Sequence, residues 1–131
     1  TFGPQEAYRI GHHVRITFTG WCFLVQRSVW ADVGGFDERF DYYFADDDFT
    51  LQLRKHDILN AAVVGAHVRH LAHVTSRKNQ LDISEKFKTD QARFHSKWGS
   101  QRLIAWKNRL VEKVMRPLGM KALIRQLYRH S

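Results

Sequence analysis

Three carboxylates stand side by side at Asp46-Asp47-Asp48, followed by apolar Phe49, Leu51 and Leu53 and then by Arg54-Lys55-His56. Adjacent like charges repel, so such a triplet is tolerable only where solvent, a cation or the positive end of a helix offsets it. The order of acids, apolar residues and bases complements a helix dipole and predicts a helix that starts within the triplet. From the residues alone two uses remain open: a solvated helix start, or a carboxylate that serves as general base or metal ligand.

The segments around the triplet mix strand and helix patterns. Residues 16–18 and 21–26 read as strands, the second because Trp21-Cys22-Phe23-Leu24-Val25 is a short continuous apolar run. Residues 27–33 fit a short helix broken by Gly34-Gly35. Residues 59–64 read as a strand and 66–71 as a second extended piece. Residues 79–98 read as a helix, with Asp82 and Glu85 spaced as a capping box and Gly99 as its stop. Beyond it, Leu103, Trp106, Leu110, Val111, Val114, Met115 and Leu118 recur at helical spacing, and Pro117 is expected to kink or divide that helix. This alternation predicts an α/β body with a short mixed sheet and helices.

Charge divides the chain more sharply than hydropathy does. Of 21 Lys/Arg and 13 Asp/Glu, residues 1–100 hold 13 and 12, whereas residues 101–131 hold 8 and 1. A neutral body with a basic tail is not the footprint of a nucleic-acid-binding protein, and no DNA- or RNA-binding motif accompanies it. It fits an anionic surface, so the tail is expected either to pack on the body or to lie on an anionic membrane. No run of about 18 uncharged apolar residues, the length a membrane span needs, occurs. The one cysteine, Cys22, excludes an intramolecular disulfide and a cysteine-built zinc site, and points to a reducing compartment.

Two further groups could carry chemistry. His67, His70 and His73 are spaced by three; on a strand His70 faces away from the other two, which disfavours a metal site made of these three alone. One of them could still join ligands from elsewhere. Gly34-Gly35-Phe36-Asp37-Glu38 is either a glycine turn with an apolar anchor or a loop that approaches a ligand closely. Phosphate-binding Gly-rich loops, nucleophile elbows and H-E-x-x-H are absent.

Taken in order, these segments resemble the C-terminal half of the inverting, GT-A-fold glycosyltransferases of family 2. The resemblance runs from about Thr19 to Gly99. Its parts are Thr19-Gly20-Trp21-Cys22-Phe23-Leu24-Val25-Gln26-Arg27, then Val33-Gly34-Gly35-Phe36-Asp37-Glu38-Arg39-Phe40, then Ala45-Asp46-Asp47-Asp48-Phe49. His70, Thr75 and Phe94-His95-Ser96-Lys97-Trp98-Gly99 follow. Ala45 stands where the family often has Glu, and Gln52 where Arg is common.

The resemblance implies a transferase that moves a sugar from a nucleotide-diphosphate donor to an acceptor hydroxyl with inversion, in cell-surface polysaccharide biosynthesis. Asp46 would be the general base. His70 would complete the coordination of Mg²⁺ or Mn²⁺ on the donor diphosphate. Trp21, Gly35, Phe36, Asp37 and Glu38 would line the acceptor side, and Asp47 and Asp48, beside the base, would also bind substrate. Thr75 and Arg77 would approach the diphosphate. The partners implied are the nucleotide-sugar donor, a glycan or lipid-linked acceptor, and an N-terminal nucleotide-binding half that these residues lack. Residues 1–99 would form the acceptor and catalytic-base half, inactive alone, and residues 100–131 a basic amphipathic helical tail. A cytoplasmic protein, peripheral at the inner face of the membrane, is expected. The competing reading is a non-catalytic glycan-binding or membrane-docking module derived from the same fold.

Overall fold

The computed structural model describes residues 8–10, 20, 22–63, 67–69 and 83–129. Two strands, β1 (Tyr8–Ile10) and β2 (Ala61–Val63), pair antiparallel with Arg9 opposite Ala62. The remaining regular elements are helices: α1 (Arg27–Val33), α2 (Ala45–Lys55), α3 (Ile83–Trp98), α4 (Gln101–Leu110), a π-helical turn (Val111–Met115) and α5 (Lys121–Leu127).

This corrects the expected fold class. The described residues are predominantly helical, and the α/β body with a mixed sheet is not found among them. The apolar run after Trp21 shows why the sequence pattern misled. Residues 23–26 carry no regular structure, although their exposure alternates: Phe23 and Val25 are half-buried, Cys22 and Leu24 exposed. A continuous apolar run shows that a segment is hydrophobic, not which of its side chains meet the core or whether its backbone joins a ladder.

The helix predictions fare better, and their ends have local causes. α1 stops at Gly34, whose left-handed backbone (φ 86°) lets its N–H return to the Trp30 carbonyl at 3.1 Å. α2 begins within one residue of the acidic triplet and ends on Arg54 and Lys55, so charge complements its dipole at both ends. Its N-cap, Phe44, is itself left-handed (φ 66°), a conformation that costs a non-glycine residue about 1–3 kcal/mol. Phe44 is held there by ring contacts with Phe87 and Phe94 at 5.3 and 5.2 Å. Ser100 caps α4 by accepting the Leu103 N–H, directly after Gly99 ends α3.

α2 is the central element. On one side Phe49 and Leu53 join Val33 in a small core to which Val25, Trp30 and Phe36 pack. On the other, Leu51 joins Phe40, Phe94, Trp98, Ile104, Val111, Ile124 and Tyr128. Four of these eight come from beyond residue 100, so the tail packs on the body and completes its larger core.

Candidate functional site

The acidic triplet separates into three environments. One turn of helix places consecutive side chains about 100° apart, so neighbours cannot share a face. Asp46 is half-buried: its Oδ2 accepts the Gly20 N–H at 3.1 Å and its Oδ1 the Asp47 N–H at 3.0 Å. Its carbonyl accepts the Thr50 hydroxyl at 2.9 Å. Gly20 lies close enough that a Cβ there would sit 3.4 Å from the Asp46 Cβ. Asp47 is half-buried too. Burial, with the Asp46 charge beside it, pushes its carboxyl up to about 6.

Asp48 is turned fully inward. Its Oδ1 accepts the Trp98 indole N–H at 2.6 Å and meets the Lys97 ammonium at 2.7 Å. Its Oδ2 has no hydrogen-bond partner among the described residues. The same ammonium reaches Asp37 Oδ2 at 2.6 Å. Lys97 thus clips the glycine-rich loop to the start of α2, with both carboxylates and the amine largely shielded from water. Asp37 also receives the Arg39 guanidinium at 2.9 and 2.6 Å, and that pairing, followed by Lys97, holds its carboxyl well below the usual range.

The other expected acceptor-side residues divide. Phe36 joins Phe23, Trp30 and Phe49 in a cluster of rings, lying 5.2 Å from Trp30 and 5.4 Å from Phe49. Gly35 is buried at φ 69°, and a Cβ there would come within 2.9 Å of the Trp30 ring. Its lack of a side chain is therefore accounted for by the tryptophan packed on it. Glu38 is exposed and borders an open groove between residues 38–41 and α3, together with Lys86 and Arg93. Trp21, His70, Thr75 and Arg77 lie outside the described residues, and among those described no group of three or more His, Cys, Asp or Glu could hold a metal ion.

Asp90 has a role the sequence reading missed. It is fully buried and accepts the backbone N–H groups of Asp41, Tyr42 and Tyr43 at 3.3, 2.9 and 2.9 Å, while Arg93 pairs with it at 3.1 Å. Burial alone would raise its carboxyl, yet these donors outweigh burial and lower it. The effect is to pin the segment that leads into α2. A signal was present: Asp90, Phe94 and Trp98 fall at spacing four, a charge inside the buried stripe of a helix.

The chain is 38% identical over 84 residues to the N-acetylglucosaminyl-diphospho-decaprenol L-rhamnosyltransferases of two Mycobacterium tuberculosis strains, CDC 1551 and H37Rv. The match takes in 61% of this chain and 27% of each relative, so the chain spans about a quarter of the length of the curated relatives it matches. No family model and no solved structure matches. The likeness is thus to part of a glycosyltransferase.

Proposed function

We propose that this chain is the acceptor-side part of a glycosyltransferase that uses a nucleotide-diphosphate sugar and inverts the anomeric centre, with Asp46 as general base. The observation that carries this reading is the division of labour inside the triplet. Asp48 is committed to Trp98 and Lys97, the Asp47 carboxyl is pushed up to about 6 by burial, and Asp46 is a partly exposed carboxylate held in place by two backbone N–H groups. Those two bonds orient the group and leave lone pairs on both oxygens for a proton.

In the proposed reaction the acceptor hydroxyl gives its proton to Asp46 as its oxygen bonds to the anomeric carbon. The bond from that carbon to the donor diphosphate breaks, and the nucleoside diphosphate leaves with the electron pair. A positioned base of this kind contributes roughly 10²–10⁴-fold. His70 as a ligand of Mg²⁺ or Mn²⁺ on the donor diphosphate belongs to the same reading, and the metal would neutralise the leaving group when bound. Glu38, Thr75, Arg77 and Trp21 are proposed to contact substrates, and Asp37 and Asp48 to position the loop and helix that carry the site. By analogy with the relatives' names, the acceptor proposed is a lipid-linked sugar diphosphate.

The test is Asp46→Asn in the longer enzyme of which we propose this chain is part. Transfer should fall by at least a hundredfold while donor binding persists. Unchanged turnover in that variant would remove Asp46 from the role of base.

A further inference from the structure

We propose that the outer face of the tail docks this protein onto an anionic lipid surface. The proposal goes beyond the transferase reading and does not depend on it, because it rests on residues 101–131 alone.

α4 and the π-helical turn that continues it carry two apolar rows, and the fold uses one. Ile104 and Val111, with Asn108 between them at helical spacing, are buried against the body. Leu103, Trp106, Leu110 and Val114, at spacings of three, four and four, form a second row around the helix. In that row Leu103 is 40%, Trp106 55% and Val114 43% exposed, and Leu118 beyond the π-helical turn is 64% exposed. Core packing therefore does not explain this row.

The charges beside it say what could cover it. At about 100° per residue, Arg102, Arg109 and Lys113 lie next to the second row, on the side turned from the core. All three are exposed, and none is in an ion pair among the described residues. Arg116, by contrast, is already bound to Asp57 at 2.9 Å and to Glu112, the tail's single acid. The face thus presents uncompensated positive charge along an apolar row that includes a tryptophan. That combination suits a helix lying in a membrane interface, where rings and aliphatic groups enter the acyl boundary and bases meet anionic head groups. No described helix is long and apolar enough to cross a membrane, so the mode proposed is lying on the surface. A second copy is a poorer occupant, since it would set like charges against one another.

The experiment is co-sedimentation of the chain with vesicles of phosphatidylcholine alone and of phosphatidylcholine mixed with phosphatidylglycerol, at two salt concentrations. Binding is expected to the anionic vesicles only, weakening as salt rises. Two double variants at exposed positions, Trp106→Asp with Leu118→Asp and Arg109→Glu with Lys113→Glu, should each lower partitioning about tenfold or more. Circular dichroism should show both folded. Binding to neutral vesicles as strong as to anionic ones would overturn the proposal, as would variants that bind like the parent chain. A chain that ignores both vesicle types but doubles its mass with concentration would assign the face to a second copy instead.

Discussion

Asp47 shows at the scale of one side chain how little neighbouring positions on a helix need share. It stands between a carboxylate fixed by backbone N–H groups and one sealed inside the protein, and its own carboxyl is pushed up to about 6 by burial and by Asp46. The folded-state value exceeds the ordinary one of 3.8. Asp47 therefore favours the folded state most below pH ~4, and that contribution is lost as pH rises through about 6. Asp47→Asn should consequently raise stability at pH 7.5, by about 1 kcal/mol once solvent screening of this half-exposed group is allowed for, and change little at pH 4. Urea unfolding of both proteins at the two pH values checks the sign. A gain of equal size at both would show that charge is not the cause.

At the scale of elements, the start of α2 is held from outside rather than by its own cap. Phe44 offers no side-chain cap and takes a left-handed backbone. The restraints come from α3: Asp90 on the three N–H groups of residues 41–43, and Lys97 with Trp98 on Asp48. Asp90→Ala leaves those backbone donors without their acceptor and should cost about 2–4 kcal/mol in chemical denaturation. Amide exchange of Tyr42 and Tyr43 should accelerate more than that of α5. Uniform acceleration across the chain would mean that Asp90 supports the whole fold and not this segment.

At the scale of the whole molecule, the tail is structural on one face and free on the other. Ile124 is fully buried and Tyr128 nearly so, in the same core as Phe40, Leu51 and Phe94. Tyr128 donates its hydroxyl to Asn108, and burial pushes its phenol up to about 12. Ile124→Ala should destabilise the chain by about 3 kcal/mol through lost transfer energy and the cavity left behind. If it cost under about 0.5 kcal/mol in thermal or urea unfolding, α5 would not be part of the cooperative unit.

Charge order and punctuation were legible in the residues themselves. The triplet marked the start of α2, Gly34 and Gly99 ended α1 and α3, and the helical repeat of residues 103–118 announced a helical tail. Each is a local effect: dipole complementarity, left-handed backbone and side-chain period act within a few residues. The strand expected at 21–26 failed because a continuous apolar run does not tell which of its residues are buried: Phe23 packs on Trp30 and Phe49 and Val25 on the same small core, a relation the run does not encode. Which carboxylate of the triplet turns inward was likewise decided only in three dimensions, by Lys97 and Trp98 arriving from some fifty residues away. So was the split of the tail's apolar residues between core and surface. Burial and ion pairing depend on what the rest of the chain brings to a site, and no window of sequence contains that.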